Sequence, residues 1–276
     1  MLLIELLLER NLKKMWVETS LAPTTENMEI SVIKDIIKRW TKELGERFNY
    51  DLPVDYLCFD LETTGFDRKD DLIVEIGHCR IVGRQSKYYE SKVLDWTQSE
   101  HVDLDWLEHK LNSCKASMAK SGRDYHMSID RMKAEGEKPE EVFKYYVDLL
   151  DGARKLGQVF VGHNLARFDS PFFTTAVKEW IGEDFAFEGR EIIDTAAIEK
   201  ASQAELPQKP GELMHEYFSR VIRTPCAGVK YNLDQHCVEK YKLLEKYHLD
   251  MAEAHTAGFD AMLCHLLLEE FRLFVD

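Results

Sequence analysis

Tyr56-Leu57-Cys58-Phe59-Asp60-Leu61-Glu62-Thr63-Thr64-Gly65 is the stretch on which the reading of this chain turns. Its four leading apolar and aromatic residues predict a buried strand, and the strand runs into Asp60. In extended backbone, side chains at i and i+2 share a face, so Asp60 and Glu62 can serve one cluster. Gly65 then lets the chain turn sharply and lets another molecule approach the backbone. An Asp-x-Glu pair alone says little, because acids at strand ends are commonly there for solvation. Behind an apolar run and ahead of Thr-Thr-Gly, the pair is more specific, and it directs attention to other acids set in apolar segments.

Two further blocks answer that description. Gly162-His163-Asn164-Leu165-Ala166-Arg167-Phe168-Asp169 follows a short apolar strand, Val159-Phe160-Val161. Asp169 lies between Phe168 and the pair Phe172-Phe173, where an unpaired carboxylate would be costly. A bound cation would justify the placement, and so would helix capping, because Pro171 suits an early helical position. The two roles are compatible. His163 and Asn164 fall on the strand-to-helix loop. Near the C-terminus comes His255-Thr256-Ala257-Gly258-Phe259-Asp260, a histidine ahead of the last predicted helix with an acid inside it. An imidazole of ordinary basicity can take a proton from water near neutral pH.

Asp60, Glu62, Asp169 and Asp260 are all-oxygen donors with no thiolate among them. Hard cations prefer such a set, which favours Mg²⁺, with Mn²⁺ able to substitute, over zinc. Four carboxylates and a histidine suffice to hold two divalent ions about 3.5–4 Å apart and to activate a water against a phosphodiester. In that scheme His255 takes the proton.

The three blocks, in this order, resemble exo motifs I, II and III of the DEDDh family of 3′→5′ exonucleases, which includes proofreading subunits, RNase T-like enzymes and TREX-like DNA exonucleases. The resemblance implies an α/β, RNase H-like fold: a central mixed β-sheet flanked by helices, with metals at the strand ends. It makes Asp60, Glu62, Asp169 and Asp260 the metal ligands, Asp60 bridging, and His255 the general base. Thr63, Thr64 and Gly65, with His163 and Asn164, become the contacts to the terminal nucleotide. His126-Met127-Ser128-Ile129, Asp194-Thr195 and Tyr231-Asn232-Leu233-Asp234 look like the family's landmarks between the motifs. His163 stands six residues before Asp169 where many members have five. That spacing, and Pro171, are similar to TREX-like members. The segment 96–125 is longer and more charged than usual and bears on substrate access.

The organisation that follows is a DEDDh exonuclease domain over 51–276 behind an N-terminal helical extension over 1–50. In the extension Ile30, Ile33, Ile37, Trp40 and Leu44 recur on one helical face. Packing onto the chain's own domain is the first reading of that face; a protein partner or self-association is the second. Strands are expected at 72–77 and 87–94, opening an antiparallel meander, and at Ile192-Ile193. Helices are expected over 140–150, 171–182, 231–247 and 256–274, with a loop at 250–254.

With 276 residues, 45% of them hydrophobic, the chain can bury one sizeable core and an appendage. Its net charge of -14 argues against broad coating of nucleic acid, which needs a basic surface. It does not argue against a nuclease, since a metal site is acidic before its ions arrive. The six cysteines form no Cys-x-x-Cys pair and read as reduced thiols. The adjacent pairs His78-Cys79, His236-Cys237 and Cys264-His265 point apart rather than at one zinc. Residues 1–10 carry acids among the leucines and lack the pattern of a signal peptide or span, so a cytoplasmic protein is expected. The expected partner is nucleic acid with a free 3′ end, single-stranded DNA ahead of RNA. A catalytically inert nucleic-acid or partner-binding module is the alternative of a different class.

Overall fold

The structure, a computed structural model, describes residues 31–39, 55–120, 122–250 and 255–273. Five strands form one mixed sheet: β1 (Tyr56–Thr63), β2 (Ile73–Val82), β3 (Gln85–Val93), β4 (Val159–Gly162) and β5 (Ile192–Asp194), in the order β3-β2-β1-β4-β5. The first three are the expected antiparallel meander, whereas β4 and β5 join β1 in parallel. The β2–β3 hairpin closes on Gly83 and Arg84, both with positive φ (60° and 63°). Two such residues make the two-residue turn whose twist matches the flanking strands. A parallel neighbour cannot be reached by a hairpin. The chain therefore crosses from β3 to β4 through helices.

Residues 31–39 form α1. After β3 come α2 (Leu104–Lys120), α3 (Ile129–Glu135) and α4 (Pro139–Lys155); α5 (Asp169–Ile181) follows β4, and α6 (Thr195–Gln203) follows β5. α7 (Met214–Arg223), α8 (Val238–Tyr241), α9 (Leu243–Tyr247) and α10 (Ala257–Leu273) complete the chain. The helices cover both faces of the sheet, and the alternation of β1 divides the core. Leu57, Phe59 and Leu61 pack with Phe143 and Tyr146 of α4 and Phe173 of α5. Tyr56 and Cys58 face the other way, toward α6, α7 and α10. Asp60 and Glu62 continue the parity of Tyr56 and Cys58, which turns their carboxylates toward α10.

Two features fix α10 against the sheet. Where Gly77 of β2 meets it, a Cβ would fall 2.0 Å from the carbonyl carbon of Ala257 and 2.1 Å from the nitrogen of Gly258. Only a residue without a side chain permits this approach. Toward the other end, the Tyr56 hydroxyl lies 2.7 Å from His265 Nδ1 and 3.2 Å from Glu269 Oε1, and Glu269 also pairs with Arg84 and Arg272.

Ile33, Ile36 and Ile37 of α1 are buried in the same cluster as α7 and α10. Ile30, Trp40 and Leu44 of the expected face lie outside the described residues. The single helix expected over 231–247 is a π-helical turn, Leu233–Cys237, followed by α8 and α9. Lys242 breaks it with φ 51°. The break serves burial: Lys240 and Tyr241 both reach the fully buried Glu199, at 2.8 and 2.6 Å, while Leu243 sinks into the core. All six cysteines are free thiols. Among the described residues no helix is long and apolar enough to cross a membrane.

Candidate active site

Three of the four sequence-predicted carboxylates meet at the end of β1. Asp60, Glu62 and Asp260 each bring an oxygen within 4.8 Å of the others, and they are the one group of potential metal ligands among the described residues. Asp260 comes from the first turn of α10, where its N–H donates to the Thr256 carbonyl at 3.0 Å. An acid there is favoured by the helix dipole.

The fourth, Asp169, adjoins this group through the backbone. Its Oδ1 accepts the N–H of Leu61, the residue between the two β1 acids, at 3.1 Å. The N-cap of α5 is Phe168, and Asp169 is the first helical residue, one position beyond the cap that the sequence suggested. The reason is local. The chain already closes onto Asn164 and Leu165, whose carbonyls accept from Phe168 and Ser170, so the carboxylate is free to turn toward β1.

The second block is held from below by Asp194 at the end of β5. Its carboxylate accepts the N–H groups of Asn164 at 3.0 Å and Ala166 at 3.1 Å, and it caps α6 through Ala197. Asn164 takes a left-handed backbone (φ 68°) to make this turn. His163 is a brace: Nδ1 lies 3.0 Å from Thr195 Oγ1, and Nε2 bonds the carbonyl of Tyr231. Its two ring nitrogens thus bond the two landmark segments that lie between the second and third blocks.

The first block is equally tied down. Thr63 Oγ1 donates to the Gly65 carbonyl at 2.6 Å; Thr64 Oγ1 donates to Asp71 and accepts from the N–H of Leu72. A Cβ on Gly65 would meet the Asp71 carboxylate at 2.3 Å, so this glycine makes room for Asp71. Lys110 pairs with Asp71, Cys114 Sγ lies 3.1 Å from the Thr64 carbonyl, and the Tyr125 hydroxyl reaches the Thr63 carbonyl. The charged segment 96–125 therefore clamps the first block. His255 sits on the turn just before α10, half-buried, with φ 64°.

The electrostatics fit a cation. Burial first, then Asp169, Asp260, Glu62 and Glu75, push Asp60 well above the usual carboxylate range. Burial with Asp260, Glu75 and Asp169 does the same to Glu62, against the pull of Arg123. Burial lifts Asp169 to about 8, with the Asp194 charge adding and the Leu61 N–H opposing. Asp194 rises by burial to about 6, held down by the N–H groups it accepts. Carboxylates so crowded cannot all ionise alone. A hard divalent cation, which asks for oxygen donors, matches both the donor set and the charge.

Two residues of this region escaped the sequence reading. Phe66 is 92% exposed beside Gly65, with its ring 5.9 Å from that of Phe168. Its signal is an aromatic at the head of an otherwise charged loop, Asp67-Arg68-Lys69-Asp70-Asp71. Glu75 is fully buried in β2 and stands opposite Glu62 in the ladder. Its signal is an acid inside the apolar run Ile73-Val74-Glu75-Ile76.

Comparison with known proteins agrees with this geometry. The exonuclease family model of the RNase T type matches residues 57–268. No curated protein sequence matches the chain. Among solved structures, the zinc-bound form of the E. coli exonuclease I–single-stranded DNA complex is similar with TM-score 0.52 and 14% identity, over 80% of this chain and 42% of that one. E. coli exonuclease I in complex with a dA16 oligonucleotide gives the same figures. With dT13 the TM-score is 0.51, over 80% of this chain and 43% of that one, again at 14% identity. At such identity the likeness is one of fold, and the chain spans less than half the length of exonuclease I. With the family model covering most of the chain and the acids of all three blocks in place on an RNase H-like sheet, the chain belongs to the exonuclease family, as a nuclease of the DEDD type.

Proposed function

We propose that this chain is a divalent-cation-dependent 3′→5′ exonuclease that removes 5′-mononucleotides from a free 3′ end, single-stranded DNA before RNA, with His255 as general base. The observation that carries the reading is the meeting of Asp60, Glu62 and Asp260 within 4.8 Å, beside an Asp169 fixed to the backbone between the first two. The catalytic unit is residues 51–276.

Asp60, Glu62, Asp169 and Asp260 would hold the divalent ions, Mg²⁺ or Mn²⁺. When bound, the ions supply an activated water and neutralise charge at the scissile phosphate and on the leaving oxygen. The residues of the chain do the rest. His255, five positions before Asp260, accepts the proton of the attacking water as general base. Thr63, Thr64 and Gly65 form a floor for the terminal nucleotide; their shape is set by the internal bonds of the loop. His163 and Asn164 set the second wall. Phe66, with Phe168 behind it, offers a ring on which an unpaired base can stack, a contact that tolerates any sequence. Arg167 is exposed on the loop that joins Asn164 to Asp169, and its guanidinium is a candidate contact for a phosphate. An exposed stacking ring favours an unpaired end, and E. coli exonuclease I, of the same fold, is seen with single-stranded DNA. The first supports a single-stranded end of either sugar, and only the second supports the DNA reading.

The test uses 5′-labelled single-stranded DNA and RNA of one sequence, with Mg²⁺ or EDTA, beside Asp60→Asn. A metal-dependent ladder shortening from the 3′ end of DNA, absent in the variant, is the expected result. Faster shortening of RNA keeps the chemistry and moves the substrate to RNA. Binding of both strands without cleavage would overturn the enzyme in favour of a binding module.

A further inference from the structure

Glu75 is a fully buried acid for which the chemistry above has no use. Its side chain lies on the Gly77 side of β2, the side of Asp60, Glu62 and α10, and the ladder sets it directly opposite Glu62. Like charges opposite each other across a ladder are destabilising. One cation answers Glu75: Nη1 of Arg131, from α3, at 3.1 Å from Oε2, while the Nε of Arg131 serves Glu135 at 2.9 Å. That ion pair does not satisfy the carboxylate. Among the described residues neither oxygen finds a well-aligned hydrogen-bond donor, although a carboxylate offers about four acceptor positions. A buried carboxylate left so is among the more costly features a fold can carry. It is tolerated where a ligand brings the missing donors.

The geometry limits what that ligand is. Glu75 is outside the 4.8 Å group formed by Asp60, Glu62 and Asp260, and it adjoins that group through Glu62, which it faces across the ladder. Mg²⁺ dehydrates reluctantly and keeps several waters, which are strong donors. Acceptors one layer behind the ligands orient the site and raise its affinity. We propose that Glu75 is a positioning residue for the divalent cation at Glu62: it accepts hydrogen bonds from water that the cation retains, while Arg131 holds its carboxylate in place from the other side. The proposal rests on the metal-dependent reading above.

The test is Mn²⁺ binding to the full chain without nucleic acid, followed by calorimetry and by the loss of the free-ion electron paramagnetic resonance signal. Thermal unfolding in EDTA is measured alongside. Glu75→Gln should bind Mn²⁺ about 10–100-fold more weakly, the usual effect of losing such an acceptor, with an unfolding midpoint in EDTA no lower than native. Arg131→Met frees the Glu75 carboxylate but also removes a positive charge near the ion, so it should weaken Mn²⁺ binding less than Glu75→Gln does. If Glu75→Gln fails to fold, Glu75→Asp keeps the charge and withdraws the oxygens, and weaker binding there supports the role. Native affinity in the folded Gln variant, or in the Asp variant where only that one folds, overturns it. Equal losses of affinity in the Glu75 and Arg131 variants, with both midpoints lowered, also overturn it, because the pair is then a strut between α3 and the sheet. If native protein itself binds no Mn²⁺, the metal-dependent reading falls first, and that outcome is distinct from the other two.

Discussion

Leu61 donates its backbone N–H to Oδ1 of Asp169 at 3.1 Å, so an acid from the start of α5 is pinned between the two acids of β1. One side chain thus does two things, and two substitutions separate them. Asp169→Asn keeps an acceptor for Leu61 and loses the charge; Asp169→Ala loses both. Turnover should fall on the order of 10²–10³-fold in each, as when a group that stabilises transition-state charge is removed. The Ala variant should also be about 1–3 kcal/mol less stable than the Asn variant, the cost of a buried N–H left without a partner. Unfolding curves beside initial rates check this. Equal stability of the two variants would remove the Leu61 bond from the account.

The approach of Gly77 to α10 gives a second prediction. A Cβ there would lie 2.0–2.3 Å from backbone atoms of Ala257 and Gly258, which cannot turn aside as a side chain can. Gly77→Ala should push the start of α10 off the sheet, costing about 1–3 kcal/mol as overpacked cores do. Because Asp260 rides on that turn, activity should fall further than stability does. A variant with native kinetics would mean that the close approach is not needed to place Asp260.

What could be read in advance, and what could not, divides along the same line. Tyr56-Leu57-Cys58-Phe59 and Asp60-x-Glu62 speak through local rules, strand alternation and apolar runs, and the structure bears out the strand they predicted; the mixed sheet, which the resemblance implied, is borne out as well. Asp260 needed only its place in a helix. Glu75, Gly77 and Asp194 act through partners far away in sequence: Glu62 across a ladder, Ala257 on the last helix, Asn164 and Ala166 on the loop after β4. No local pattern states such a register. The break at Lys242 was hidden for the same reason, since its cause is Glu199, on α6. Asp169 was misplaced by one position because Pro171 fits several places in a first turn, and only the bonds to Asn164 and Leu165 choose among them.

Phe66 tests the single-strand reading. Stacking of one base on an aromatic ring is worth about 1–3 kcal/mol, roughly 5- to 150-fold in affinity. Phe66→Ala should therefore raise KM for a single-stranded oligonucleotide within that range and change kcat little. The ring is 92% exposed, so the fold should not notice its loss. Unchanged KM would take Phe66 out of the binding surface.

His255→Ala tests the base. General-base catalysis is typically worth 10²–10⁴-fold, and the variant should lose that much of kcat with Mn²⁺ binding retained. A kcat within a few-fold of native in the variant would assign the proton transfer elsewhere.

The last prediction joins pH, metal and stability. Asp169 has an ordinary value of 3.8 and is raised by burial to about 8. Between those values the folded chain holds a proton that the unfolded chain has released, so stability falls as pH rises. The contribution is fully present below the unfolded value and lost through the folded one. Asp60 and Glu62, also raised, act in the same direction. His265 opposes them at lower pH. Burial depresses it from 6.5 to about 4, and its contribution is gained as pH climbs to its ordinary value. The window free of that opposition is pH 6.5–8. There, in EDTA, the unfolding midpoint should fall as pH rises, and Asp169→Asn should flatten the slope. Mg²⁺ binds the deprotonated carboxylates, so the midpoint gained on adding it should be larger at pH 8 than at pH 6.5. Unfolding scans across this window, with EDTA and with Mg²⁺, decide the matter. A midpoint in EDTA that rises toward pH 8 would show that these acids are already charged and balanced without a cation, and would remove the electrostatic case for the metal centre.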